Sequence, residues 1–405
     1  MIMKKVLMMA MMFVASATAF AGDSDALKAI TKTKNYDEAA QLVHNTLGQL
    51  ADNGEKAKAY NHLVDLAMKK VSDETGTIAE NMVAKQTGGT EKPVDQIGMA
   101  DALTNAIYMA IECNKYDQQP NAKGKVSPKY DKKNADRIWQ VRRQLINIGQ
   151  EEAQKNHDDA VLKYWGALVD SEADPLFAGQ DHAAEAEWTG QVAYFAGRYA
   201  FQAKEYERAN KYLDVAMKDP NQKAEAMNYK LYAMRSNLKS HADSVACINQ
   251  LKAMYEAEPQ SDVILDALNS MYEASKDKAA QIALLDGHLA KYPNSYTALA
   301  GKGFMAMNEN DALTAISWLK KATQAKPDNA VLFYYLGICY NSQAANSEDQ
   351  AKRKEYYTDA IAAFDKAKEL DPNKQMVNWG YNRYQAYYAL YGENDPKTKD
   401  AEYDK

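Results

Sequence analysis

Proline and glycine are scarce, at 10 and 19 among 405 residues. A sandwich or barrel needs many turns and therefore many of both, which argues against an all-β fold. Three cysteines cannot all pair within one chain, and Cys113, Cys247 and Cys339 each sit inside an apolar helical pattern. Each reads as a small buried hydrophobe rather than as part of a disulfide framework. There is no basic excess: 49 Lys and Arg stand against 55 Asp and Glu, for a net charge of -6. Nucleic acid is not expected as a main partner, because phosphate neutralisation needs clustered Lys and Arg. The six histidines are scattered without a His-x-x-x-His spacing, and acidic runs such as Asp170-Ser171-Glu172 lack the calcium-loop pattern. Gly301-Lys302-Gly303 lacks the strand and the remaining glycines of a phosphate loop, and no nucleophile motif surrounds Gly166. No catalytic residue, metal ligand or cofactor site is assigned, and the expectation is a protein that is not an enzyme.

Long hydrophobic runs are also missing, with one exception. Lys4 and Lys5 precede an apolar stretch from Val6 to Phe20, which closes in Ala19-Phe20-Ala21 and turns polar at Gly22-Asp23. A membrane span needs about 20 apolar residues, and small residues at the end of a shorter run are what a signal peptidase reads. Residues 1–21 are therefore expected to be a signal peptide, leaving an exported protein, periplasmic or secreted, with no integral membrane segment. Removing Lys4 and Lys5 lowers the basic count from 49 to 47 and takes the net charge to -8. The 384 residues that remain exceed one compact core, so several domains or a repeat array are expected.

The few prolines carry the main signal. Pro259, Pro293 and Pro327 are spaced by 34 residues twice in succession. Eight residues before each lie Leu251, Leu285 and Leu319, and twelve before lie Cys247, Gln281 and Ala315. Upstream, Leu231, Leu265 and Leu299 fall in one column, and Leu238, Tyr272 and Ala306 in another. Two further units fit once insertions are allowed. One has Val192, Phe195, Ala196 and Tyr199, then Ala209, Leu213, Ala216 and Pro220. The other has Phe333, Leu336, Gly337 and Tyr340, then, after an insertion near Asn346 to Lys354, Ala360, Phe364, Ala367 and Pro372. A fixed period of this size marks stacked helical hairpins, none of which can bury its apolar faces alone.

These columns resemble the tetratricopeptide repeat (TPR) superfamily, most specifically over Phe333-x-x-Leu336-Gly337-x-x-Tyr340 followed by Ala360, Phe364, Ala367 and Pro372. The resemblance implies an all-α fold, a right-handed α-solenoid of TPR-like helical hairpins. Arg235 and Asn269 depart from the pattern where it prefers a small residue, and Lys302 where it prefers an apolar one, so looser packing is expected there. The domain reading is a signal peptide at 1–21, degenerate helical hairpins with long insertions at 22–135, and a helical hairpin leading into the array at 136–188. Five TPR-like repeats at 189–374, a C-terminal capping helix at 375–391 and a charged, mobile tail at 392–405 complete it. Within the first third, helices are read at Glu55 to Val71, Asp101 to Glu112 and Trp139 to Ala153, with an irregular stretch from Ala84 to Gly98. The lysine-rich stretch from Asn114 to Asn134 reads as a solvated loop.

The resemblance also implies where a partner sits, since first helices line the inner face of such arrays. Candidate partner-binding residues are Tyr229, Tyr232, Phe304, Asn308, Tyr334 and Asn341. In the last helix, Val377, Tyr381, Tyr384, Tyr388 and Tyr391 form a seam expected to pack inward. Trp379, Arg383 and Tyr387 would then form an outward strip for a partner, a second subunit or a sugar ring. The functional expectation is an exported TPR scaffold or adaptor that binds a protein or peptide in cell-envelope assembly or secretion. The alternative is a carbohydrate-binding protein of the envelope that uses aromatic residues on its hairpins.

Overall fold

The computed structural model describes residues 22–120 and 124–405. The expected signal peptide lies outside them. Among the described residues the chain forms α-helices and short 3-10 turns, with no strand. It divides into two compact units, one ending at Ala233 and one running from Met234 to Lys405.

The first unit begins with α1 (Asp25–Lys32), α2 (Tyr36–Thr46), α3 (Asn53–Thr87) and α4 (Gln96–Asp117). It continues through α5 (Asp131–Trp139), α6 (Gln144–Gln154), α7 (Asp158–Ala173), α8 (Ala186–Gln202) and α9 (Tyr206–Ala216). The helix α10 (Lys223–Ser236) spans the division between units. The second unit holds α11 (His241–Ala257), α12 (Asp262–Ala274), α13 (Lys278–Lys291), α14 (Tyr296–Asn308) and α15 (Ala312–Ala325). It ends with α16 (Ala330–Asn346), α17 (Gln350–Leu370), α18 (Gly380–Tyr391) and α19 (Pro396–Glu402).

The period seen in the prolines is the period of the hairpins. The helices α12, α14 and α16 start at Asp262, Tyr296 and Ala330, which are steps of 34 residues. Pro259, Pro293, Pro327 and Pro372 each stand two residues past the end of a second helix. Just before each proline, the capping amide of Glu258, Tyr292, Lys326 or Asp371 still donates to the carbonyl four residues back. Proline follows because it has no N–H with which to continue. The described residues are thus all-α, and in the second unit they form a repeat of helical hairpins.

Hairpins close at a glycine column. A Cβ added to Gly197 would lie 2.8 Å from Leu213, at Gly303 it would lie 2.8 Å from Leu319, and at Gly337 2.7 Å from the Phe364 ring. The same two columns therefore meet in three separate hairpins. Where the column carries Asn269 instead, Gln281 Nε2 donates to the Asn269 Oδ1 at 3.1 Å. The expected weakness there takes this form: a polar pair, beside a small apolar cluster of Leu265, Leu285 and Ala298.

One device was not legible in the repeat pattern. Between the helices of four hairpins a left-handed residue turns the chain: Asn156 (φ 58°), Lys204 (φ 62°), Lys276 (φ 58°) and Asn310 (φ 59°). In each, the next amide donates to the carbonyl five residues back, as Asp277 does to Tyr272 and Asp311 to Ala306, both at 2.9 Å. This is a Schellman closure made with L-residues. The pair α6 and α7 uses it too, so the hairpin ahead of the repeats is built like them.

Elsewhere the outlines differ from the sequence reading. The helix α3 runs on to Thr87, because Gly88 at φ 73° stops it rather than an irregular loop at Ala84. Its mostly exposed end is tied by Asn81, which exchanges hydrogen bonds with the Lys92 backbone at 2.7 and 2.8 Å. The single helix expected from Trp139 to Ala153 is broken between α5 and α6, where Arg142 turns inward and is fully buried. In the lysine-rich stretch, Asp117 at the end of α4 accepts from the amides of Lys129 and Tyr130, both at 2.7 Å.

Two stability outcomes follow from these contacts. Gly337→Leu overpacks the Phe364 contact and should cost about 1–3 kcal/mol or more, read as a lower denaturation midpoint. Lys276→Gly relieves a left-handed L-residue and should stabilise by about 0.5–1 kcal/mol, with Asn310→Gly giving less because Asn tolerates that region. A loss of stability in Lys276→Gly would contradict the turn geometry.

Candidate functional site: a tyrosine cleft in the second unit

The last helix shows the opposite face from the one expected. Trp379 is 1 % exposed, Arg383 6 % and Tyr387 8 %, whereas Tyr381 is 55 % exposed and Tyr388 47 %. The outward aromatic–guanidinium strip is thus corrected: it is the buried face. Trp379 Nε1 donates to the Asp371 carbonyl at 2.7 Å, and Asp371 caps the loop by accepting from the amides of Gln375, Met376 and Val377. These amides hold the Asp371 carboxyl below the usual carboxylate range against the opposing effect of burial. Arg383 is buried because it bridges two carboxylates, Asp365 at 2.6 Å and Asp404 at 2.7 Å. Tyr387 donates to Asp365 at 2.8 Å.

The tail is part of this arrangement. Residues 392–405, expected as a mobile tail, include α19, whose Ala401 is buried. The Asp404 carbonyl lies where any Cβ on Gly380 would be, and it accepts from the Lys374 ammonium. Backbone contact at Gly380 and the Arg383–Asp404 pair together dock the tail on the start of α18.

With that face buried, the tyrosines turn outward and line a cleft of about 610 Å³. Tyr381, Tyr384, Gln385 and Tyr388 come from α18, Tyr357 from α17, Asn341 and Ala345 from α16, and Glu393 from beyond the helix. Tyr384 and Tyr388 are 5.9 Å apart between ring centroids. The Lys405 ammonium sits 3.5 Å from the centre of the Tyr384 ring. Asn341 Nδ2 donates to the Asn382 carbonyl at 3.1 Å, while its Oδ1 is buried without a partner. A buried acceptor left unpaired is costly, and this one belongs to a residue that lines the cleft.

The remaining candidates from the sequence are placed as follows. Tyr334 accepts from Asn382 Nδ2 at 3.2 Å, so Tyr334 and Asn341 meet through one residue of α18. Phe304 packs edge-on to Tyr335 at 5.0 Å, and Tyr335 in turn on Tyr334 at 5.2 Å. Asn308 donates to Glu273 at 2.8 Å. In the first unit, Tyr229 is half-buried against Tyr194 and Phe201, and Tyr232 is 54 % exposed. Sequence reasoning missed Tyr357, Tyr384, Tyr388 and Gln385 because it assigned the α18 tyrosines to the core.

Two concavities of the first unit contrast with the cleft. The larger, about 790 Å³, has Glu172 and His182 in its wall. Behind them Arg142 stacks on Trp139 at 3.5 Å, donates to Glu172 at 2.8 Å and pairs with Glu185. Burial pushes the Glu185 carboxyl up and the Arg142 guanidinium down. Both nitrogens of His182 are engaged, by Glu172 at 2.6 Å and the Phe177 carbonyl at 2.9 Å. The second, about 580 Å³, centres on Asp170, which accepts from Tyr108, Tyr212 and Lys211. In both, polar groups largely satisfy one another. No cluster of three or more His, Cys, Asp or Glu able to hold a metal occurs among the described residues.

No family profile matches the chain. A 143-residue stretch is 27% identical to mouse interferon-induced protein with tetratricopeptide repeats 2; the match covers 33% of this chain and 30% of that protein. The solved structure of MamA is similar over 46% of this chain and 94% of its own, at 18% identity and a TM-score of 0.30. Human IFIT1, solved as a dimer with m7Gppp-AAAA, is similar over 81% of this chain and 72% of its own, at 14% identity and a TM-score of 0.37. YrrB, described as a TPR protein with an unusual peptide-binding site, is similar over 60% and 94%, at 15% identity and a TM-score of 0.24.

The burial of the Trp379 face gives a direct outcome. Trp379→Ala should destabilise the second unit by about 3–5 kcal/mol, the scale for a buried tryptophan. Thermal melts followed by circular dichroism read the loss; a melting curve unchanged from wild type would place Trp379 back on the surface.

Proposed function

We propose that this protein is an exported scaffold of the cell envelope that grips a protein or peptide segment, with the tyrosine cleft of the second unit as its principal contact. The observation that carries this reading is the combination in that cleft of exposed tyrosine rings with an unpartnered acceptor, Asn341 Oδ1. Tyrosine supplies large amphipathic contact area at low entropy cost, and Asn and Gln supply adaptable hydrogen bonds. A backbone N–H of a bound segment would satisfy Asn341 while its side chains lie on Tyr381 and Tyr388.

Export rests on the basic start, short apolar run and Ala19-Phe20-Ala21 of the first residues. No helix among the described residues is long and apolar enough to cross a membrane. A nucleic-acid partner is less well supported, since the cleft is lined by no Lys or Arg and the chain is acidic overall. Sugar binding is the second reading, favoured by the same aromatic lining. Self-association is a third use of the exposed tyrosine face.

A photo-crosslinking residue placed at Tyr381 or Tyr388 in cells, beside a glycan array with the purified chain, separates these readings. The expected result is one recurring protein adduct at both positions and none at the exposed control Leu313. With that partner in hand, Tyr381→Ser with Tyr388→Ser should weaken capture by about tenfold or more, at the lower end of hot-spot effects. Adducts no different from the control would overturn the reading, adducts of the chain with itself would identify self-association, and array binding alone would select the sugar.

A further inference from the structure

The buried arginines Arg142 and Arg383 and the half-buried Arg137 and Arg208 are matched to carboxylates. Arg137 pairs with Asp65 at 2.7 Å, Arg142 with Glu172 and Glu185, Arg208 with Glu205 at 3.1 Å, and Arg383 with Asp365 and Asp404. Arg198, half-buried on α8, departs from this pattern. Among the described residues no carboxylate lies within 4.0 Å of its guanidinium, and its Nε is buried with no hydrogen-bond partner. Instead the guanidinium lies over three rings, 5.4 Å from the centre of Tyr229, 5.7 Å from Tyr194 and 5.8 Å from Phe195. Glu225 of α10 is a neighbouring carboxylate: with burial, its charge helps to push the Tyr194 hydroxyl up.

This arginine lines a cavity of about 250 Å³ in the first unit, with Phe195, Tyr199, Gln202 and Asp158. The volume suits one side chain rather than a whole segment. Asp158 is the first residue of α7, a helix that starts without a side-chain cap from His157. The partial positive charge of a helix start and a fixed guanidinium thus border one small space. Aromatic faces on the guanidinium hold its plane and keep part of it from water, which strengthens attraction to an arriving anion. Asp158 opposes that attraction from the same wall.

We propose that this cavity binds one carboxylate side chain, glutamate or aspartate, of a protein segment, held by Arg198 on its bed of Tyr194, Phe195 and Tyr229. The inference rests on the reading that the partner is a protein, and it adds a second, charge-selective contact in the other unit. An acidic side chain completes the pairing that the fold gives to the other buried arginines, and planar guanidinium matches carboxylate in two parallel hydrogen bonds.

The test uses the chain from Gly22 onward and pentapeptides with both ends blocked, carrying glutamate or glutamine between two phenylalanines. Binding is measured by calorimetry at low salt, and the Arg198 Nε–H signal, assigned by its absence in Arg198→Lys, is followed by NMR. The glutamate peptide should bind about tenfold or more tightly than the glutamine peptide, as expected for a charge-assisted pair, and should shift the Nε–H signal. Arg198→Met should remove the preference with helicity unchanged, Arg198→Lys should retain part of it, and Asp158→Asn should enlarge it. Equal binding of the two peptides, or a preference that survives Arg198→Met, overturns the site. So does a glutamine peptide with a free C-terminus that binds as tightly as the glutamate peptide, since the cavity would then read chain ends. The Tyr381→Ser and Tyr388→Ser protein should keep the glutamate preference, so failure of the cleft and failure of this site are told apart.

Discussion

Three of the hairpins depend on two helices approaching at a point where one of them has no side chain. Gly197, Gly303 and Gly337 meet Leu213, Leu319 and Phe364, at distances where no Cβ fits. That contact sets how far apart the helices of a hairpin lie, and so where the next hairpin finds its apolar surface. Dispersion falls steeply with small gaps, so the facing side chain must fill the space the glycine leaves. The variant hairpin, with Asn269 in place of the glycine, joins its helices through a directed hydrogen bond from Gln281.

The parts of the fold that could be read in sequence are those where one residue type has one physical use. Proline two residues beyond a helix marks an end because it cannot do anything else there, and four hairpins agree on it. The turns inside the hairpins were invisible for the opposite reason. Lys204 and Lys276 occupy left-handed backbone that glycine would announce, and lysine announces nothing. The break at Arg142 was equally silent. A charged residue in an apolar run reads as surface, and only the convergence of Trp139, Glu172 and Glu185 from distant segments makes a buried site for it. Breaking such a set by removing one partner costs about 3–5 kcal/mol, so once formed it dictates the local path of the chain.

The inversion of α18 has the same origin. Counting rings along the helix favours the tyrosine stripe as the core face. Tyrosine is only intermediate in burial preference, however, and its hydroxyl must keep a partner. The competing face offered Trp379, Gly380, Ala386 and Tyr387 around Arg383, and what decides between them lies elsewhere in the chain. Asp365 on α17 and Asp404 in the tail neutralise the arginine, and Gly380 admits the tail backbone. Neither a periodicity nor a motif encodes that meeting, because its parts are far apart in sequence.

The same bookkeeping of satisfied and unsatisfied groups separates the surfaces that hold the molecule together from those with interaction capacity to spare. In the two larger concavities of the first unit, the central carboxylates already accept from named donors: Asp170 from Tyr108, Tyr212 and Lys211, and Glu172 from Arg142 and His182. A ligand entering there would have to break existing bonds before making its own, and the net gain would be small. The tyrosine cleft and the Arg198 cavity differ in kind. Their aromatic faces are exposed or half-buried, and Asn341 Oδ1 and Arg198 Nε have no hydrogen-bond partner within the fold. The largest of these four concavities has walls already bonded to each other, so size is the weaker guide there.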